Sequence, residues 1–181
     1  METIHTVGIP VEVYLSSSIV RGRVFTKHQR LSDYLNVSTD DRTISVDDGE
    51  IQTLERRGAV VKSQSVLIRK RQVLFVVDLS SSSSTTKEEL GLLWANREPQ
   101  NVFIEVDSFW LEGQVHLVPN SKLDRFAEGK SSFIPLTGAT ILNRQPTEPR
   151  TFLINRDKVN FLLPRNGALR ATLPRAMQGL G

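Results

Sequence analysis

Apolar and polar residues alternate at the start of the chain. Val11, Val13 and Leu15 are separated by Glu12 and Tyr14, a period of two that predicts a half-buried β-strand. Ser16-Ser17-Ser18 breaks that run, and residues 19–26 form a second apolar stretch containing Gly22. A glycine inside a strand marks a bulge, a bend or a close backbone approach, and small barrels need such bends to close. The period then changes: within residues 30–36, Leu31, Tyr34 and Leu35 share one face of one or two helical turns. Residues 43–46 predict a third strand, and Asp47-Asp48-Gly49 a tight turn after it. Residues 50–57 and 60–68 have less regular patterns. Arg69-Lys70-Arg71-Gln72 separates two apolar runs and reads as a hairpin tip. Residues 73–77, Val-Leu-Phe-Val-Val, are apolar on both faces and predict a central strand.

The same pattern recurs further along. Val11, Val13 and Leu15 match Val102, Ile104 and Val106, and residues 19–24 match residues 110–115, with Gly22 on Gly113, all at an offset of 91. Arg30, Leu31 and Tyr34 match Lys122, Leu123 and Phe126 at an offset of 92. Ile44, Val46 and Ile51 match Ile134, Leu136 and Ile141 at 90, and Val73 and Phe75 match Val159 and Phe161 at 86. The offset drifts where loops are expected, as in two diverged copies of one unit. The expected fold is all-β: two tandem, internally duplicated small β-barrels of the Sm/SH3-like kind, packed together. The expected boundaries are residues 1–79 for the first barrel, 80–101 for a Ser-rich linker with a short helix, 102–164 for the second barrel and 165–181 for a basic tail. A copy of roughly 65 residues has a marginal core by itself, so the two copies are expected to pack on each other.

Within the linker, residues 80–84 are five consecutive serines, and Leu90, Leu93 and Trp94 form a short helical stripe. The tail carries Arg165, Arg170 and Arg175 and no acid, which equals the net charge of +3 of the whole chain. Arg69, Lys70 and Arg71 make a second cationic spot, and Arg156 and Lys158 stand at the matched place in the second copy. These eight residues are the candidates for meeting a protein partner or a nucleic acid.

Other chemistry is thin. The chain has no cysteine, which excludes disulfides, thiolate metal sites and cysteine nucleophiles. Gly129-Lys130-Ser131 resembles the end of a phosphate loop, but Asp124 stands where the first glycine is required. His5, His28 and His116 lack metal-ligand spacing, and Asp40-Asp41 and Asp47-Asp48 do not fit a twelve-residue calcium loop. No cofactor, no metal, no small-molecule substrate and no enzymatic activity are expected. Residues 73–77 are the longest apolar run, far below the roughly 18 residues of a membrane span. Met1-Glu2-Thr3-Ile4-His5 does not look like the start of a signal peptide, so a cytoplasmic location is expected.

Two resemblances add to this. Val11-x-Val13-x-Leu15, then Val20-x-Gly22-x-Val24, then Asp33 and Asn36, is similar to the opening of Sm-like domains, strongly bent small barrels that often bind RNA as rings. That resemblance implies a bend at Gly22 and a base-contacting role at Asn36. The second copy has Arg125 in place of Asp33, and Arg69-Lys70-Arg71 stands where the Sm-like pattern has Arg-Gly. Arg30-Leu31-Ser32-Asp33-Tyr34-Leu35-Asn36 resembles the Arg-Leu-Ser-Asp-x-Leu-Asn signature of a bacterial domain family of unknown function. The leading expectation is a non-catalytic binding or scaffold module that engages protein partners, including further copies of itself. The alternative is an RNA- or DNA-binding protein of Sm-like type using the tail and the Arg69–Arg71 tip.

Overall fold

Strand β1 (Val7–Tyr14) buries Val11 and Val13 completely, as its alternation requires, and ends on a further buried residue, Tyr14. The computed structural model describes residues 6–27, 30–37, 42–54, 60–80, 97–124, 129–144 and 148–165. After β1 come β2 (Ser18–Thr26), helix α1 (Leu31–Val37), β3 (Thr43–Thr53), β4 (Val60–Arg69), a 3-10 turn (Lys70–Gln72) and β5 (Phe75–Asp78). Then follow β6 (Glu98–Val106), β7 (Phe109–Leu117), β8 (Phe133–Ile141), β9 (Arg150–Asn155), a second 3-10 turn (Arg156–Lys158) and β10 (Val159–Pro164). The protein is all-β. Its ten strands form one antiparallel sheet in the order β10-β6-β7-β8-β9-β5-β1-β2-β3-β4. The sheet is open, with β10 and β4 as its two edges.

Several expectations change here. No pairing among the described residues closes either group of five strands into a barrel. The reason lies in the turns. Arg69–Gln72 is not a hairpin tip: the 3-10 turn carries the chain away from β4, and β5 pairs with β1 on one side and β9 on the other. The second 3-10 turn does the same after β9, sending β10 to pair with β6. Asp47-Asp48-Gly49 is not a turn either. Strand β3 runs through it, and Asp48 at φ 51° marks a bulge where the register on β2 shifts. Strand β6 begins at Glu98, inside the stretch expected to be linker. The serine run after Ser80, the helical stripe and the tail beyond Arg165 lie outside the described residues, as do His5, His28 and Phe126.

The two internal glycines have a common setting. A Cβ on Gly22 would lie 2.5 Å from the Asp47 carbonyl oxygen, and one on Gly113 would lie 3.0 Å from that of Thr137 and 2.7 Å from Leu136 Cγ. Each sits beside a register shift, between β2 and β3 in one case and β7 and β8 in the other. A side chain there would push the neighbouring strand away.

Two apolar cores result. One gathers Val11, Val13, Val20, Ile44 and Ile68 with Leu31 and Leu35 of α1. The other gathers Val102, Ile104, Leu111, Val115, Leu136 and Ile154 from the second half. The central strands β5 and β9 feed both. Val76 and Leu153 enter the first core, while Phe75, Val77, Phe152 and Ile154 enter the second. Alternating side chains of one strand pair thus stitch the halves together.

Candidate interaction edges

The joint between the halves sets the standard against which the edges are read. Strand β5 meets β9 with Phe75 opposite Ile154, Val76 opposite Leu153, Val77 opposite Phe152 and Asp78 opposite Thr151. Phe75 stacks on Tyr14 with ring centres 4.3 Å apart and on Phe152 at 5.5 Å, and Phe109 meets Phe75 edge-on at 5.2 Å. Such ring pairs add about 0.5–1.5 kcal/mol each beyond the area they bury.

Polar clamps flank the apolar pairs. Asn155, almost fully buried, donates from Nδ2 to the Val73 carbonyl at 2.8 Å and the Lys70 carbonyl at 3.3 Å. Asn36 of α1 donates to the Phe133 carbonyl and accepts from the Phe133 amide, both at 2.9 Å. Its amide is therefore spent on crossing from one half to the other, not held out toward a base. The Tyr14 hydroxyl donates to Glu12 at 3.0 Å, and Glu12 also accepts from Arg21 at 2.6 Å. Burial first, and the Glu12 carboxylate second, push the Tyr14 phenol well above its ordinary range.

Among the described residues the outer strands have no such cover. Of the eight large apolar residues left exposed among the described residues, Val60, Val61 and Leu67 stand on β4, and Phe161 and Leu163 on β10. Leu67 is 73% exposed, Leu163 43% and Phe161 38%. Phe161 also stacks on Phe103, ring centres 5.9 Å apart, and Phe103 meets Trp110 at 5.8 Å, so an aromatic strip runs from the β10 edge across the outer face. Unpaired edge backbone beside exposed apolar side chains is the template for strand addition.

The six described cationic candidates do not form one patch. The two 3-10 turns lie side by side, because Asn155 reaches the Lys70 carbonyl, and this brings Arg69–Arg71 near Arg156 and Lys158. Arg69 and Arg71 are exposed. Lys70 donates to the Leu35 carbonyl at 3.1 Å and lies 5.8 Å above the Tyr34 ring. Arg156 is partly desolvated, which lowers its affinity for a proton, and its Nε is buried without a hydrogen-bond partner among the described residues. Arg165 is at the far end of β10 and pairs with Glu112. Arg170 and Arg175 lie outside the described residues.

A cavity of about 350 Å³ lies against β10, lined mainly by Ile104, Val115, Leu136, Ile154 and Leu162, with Arg156 and Asp124 as its charged members. Residues 125–128, which follow Asp124, lie outside the described residues. Among the described residues no cluster of His, Asp and Glu has the makings of a metal site, and no helix is long and apolar enough to cross a membrane.

Sequence reasoning missed Leu67, Phe161, Leu163 and both asparagine clamps. Alternation was the signal available for the edge residues, since Leu67 and Leu163 are apolar at positions that face away from their own half. Nothing in the sequence marks Asn36 or Asn155 as a clamp. No protein-family model, no curated protein and no solved structure matches the chain.

Proposed function

We propose that the chain is a non-catalytic binding or scaffold module built of two related five-strand units of small-barrel type, holding protein partners by strand addition at β4 and β10. The relatedness is supported by strand order: β5-β1-β2-β3-β4 in one half and β10-β6-β7-β8-β9 in the other. It is supported again by Gly22 and Gly113 beside equivalent register shifts, and by Asp48 and Gly138, at φ 51° and 57°, which correspond at the offset of 90. One observation carries the partner-binding reading: both sheet edges are open, and both present apolar side chains to solvent.

The test places a photo-crosslinking amino acid at Leu67 or at Phe161 in the full chain, with exposed Val118, which lies off both edges, as control. Irradiation in cell extract should give protein adducts at the two edges and not at Val118. Adducts at all three, or only nucleic-acid adducts, would count against the reading.

A second reading, nucleic-acid binding, is favoured by the side-by-side cationic turns. It requires salt-dependent retention of an oligonucleotide that weakens when Arg69, Arg71 and Lys158 are replaced by serine.

A further inference from the structure

We infer that the partner at these edges is a second copy of this chain, joined head to tail, with β4 of one molecule against β10 of the next in the register of the β5–β9 joint. This rests on reading the edges as partner-binding surfaces and names their occupant.

The internal joint defines the geometry. It pairs the last strand of the first unit, β5, with the fourth strand of the second, β9. What remains unpaired among the described strands is the fourth strand of the first unit, β4, and the last strand of the second, β10. The two open edges are therefore complementary in kind. The sequence offset of 86 that relates Val73 and Phe75 to Val159 and Phe161 also relates the residues before them. Phe161 would face Ile68, Leu162 would face Leu67, Leu163 would face Val66 and Pro164 would face Ser65.

Side-chain exposure fits this register position by position. At the internal joint three side chains leave their own unit and bury in the core of the other: Phe75 and Val77 in the second core, Leu153 in the first. They are 0%, 3% and 2% exposed. Their counterparts at the free edges are Phe161, Leu163 and Leu67, exposed by 38%, 43% and 73%. The residues between them behave in the opposite way. Ile68 is buried in its own core, and Leu162 and Val66 pack against theirs. The edges thus present the side chains that a neighbour's core would take in.

The edges also carry limits on the joint. Arg165 donates its amide to Asn101 on β6, so by alternation the backbone nitrogen of Pro164 faces the open side, where it has no hydrogen to give. At the same end, beyond Ser65, Lys62 of β4 is paired with Glu50. Charge and proline confine pairing to a few residues, about the length of β5. The new joint also lacks the ring stack, since Tyr14 and Phe152 correspond to Glu105 and Val66. Association should be weaker than the internal joint, reversible and concentration-dependent. A head-to-tail contact of this kind yields a ring where its rotation closes and a filament where it does not.

The test uses the full chain. Light scattering after size exclusion, over a range of concentrations, should show mass rising above 20.3 kDa. Leu67→Lys blocks one edge and Leu163→Lys the other. Each variant alone should stay at the monomer mass with an unchanged melting temperature. Mixed together they should form a dimer and nothing larger, because one intact β4 and one intact β10 remain. A second measurement uses the absence of cysteine in the chain: Val66→Cys chains mixed with Leu163→Cys chains should give a disulfide-linked dimer on oxidation, and neither variant should do so alone. Wild-type protein that is monomeric at every concentration would overturn the proposal, while leaving the capture of other proteins at the edges intact. Dimers of either blocked variant alone would overturn it in favour of a symmetric contact.

Discussion

Strands β5 and β9 at the joint, and β10 and β4 at the edges, occupy corresponding positions in the two halves, yet the first pair is buried and the second is bare. The side chains hardly differ in character. Phe75 and Phe161 are the same residue, and Leu153 and Leu67 are the same residue, but in each pair one is 2% exposed or less and the other 38% or more. Burial here belongs to the neighbour and not to the amino acid. A strand reads as central or peripheral only once its partner is known.

The sharpest way to break this comparison is to remove the same ring from both places. Phe75→Ala takes out a ring that is 0% exposed and stacked on Tyr14 and Phe152. It should cost about 3–5 kcal/mol, read as a fall in the urea midpoint, and both halves should lose stability in one transition because the ring lies in the second core beside the first. Phe161→Ala should leave the midpoint within about 1 kcal/mol of wild type, since exposed sites rarely cost more. Equal losses would show that the two rings are not in different environments.

Gly22→Val and Gly113→Val come next. Each added side chain meets backbone of the adjacent strand, the Asp47 carbonyl in one case and the Thr137 carbonyl in the other. Each should cost on the order of 1–3 kcal/mol, measured by thermal or urea melting. If one is tolerated and the other is not, the correspondence between the halves fails at the point where it is best supported.

These two glycines mark how much of the fold was legible. Alternation located β1, β2 and the central β5, and a change of period located α1, because each depends on local side-chain spacing. Matched positions such as Gly22 and Gly113 were visible as well, and both lie beside register shifts. The pairing of β5 with β9 was not. It joins residues far apart in sequence, and the apolar run at residues 73–77 says that both faces are covered without saying by what. The hairpin reading of Arg69–Gln72 failed for a related reason. A polar tetrapeptide between two apolar runs is equally consistent with a fold-back and with a crossover, and β1 and β9 decide between them by pairing with β5. The cationic candidates were visible as charges, but the compensation of Arg165 by Glu112, and of Lys70 by the Leu35 carbonyl, depends on tertiary neighbours.

Asn36→Ala sharpens the comparison at smaller scale. It removes a hydrogen bond to each polar group of the Phe133 backbone and so loosens α1 from β8 without touching the apolar pairs. The loss should be about 1–3 kcal/mol, since two backbone groups lose their partner. The residue at the offset of 92 is Glu128, which has no side-chain amide to donate. Amide exchange should show the Phe133 N–H opening faster while the β5–β9 amides stay protected; loss of protection at both would mean that the clamp and the strand pairing are a single unit.

The smallest effects are titrations, and they separate the joint from the second half by sign. At the joint, burial holds the Tyr14 phenol protonated, with its pKa raised in the folded state. Its contribution is complete below the unfolded value near ~10 and is lost as pH rises beyond it. The melting temperature should therefore fall on alkaline titration, and Tyr14→Phe should flatten that fall. His116, on β7, goes the other way. Its ring nitrogen Nε2 lies 2.8 Å from the Thr137 hydroxyl, and burial first, then the nearby Arg97 guanidinium, lower its pKa in the folded state. The unfolded chain then binds a proton at a pH where the folded chain does not. Stability is complete above the unfolded value near ~6.5 and declines as pH falls through and below it. A melting series from pH 8 down to pH 5 on wild type and His116→Gln should diverge on the acid side, with the variant losing less. Parallel curves would mean that His116 titrates alike in both states, and that the loss of acid stability comes from carboxylates elsewhere in the sheet.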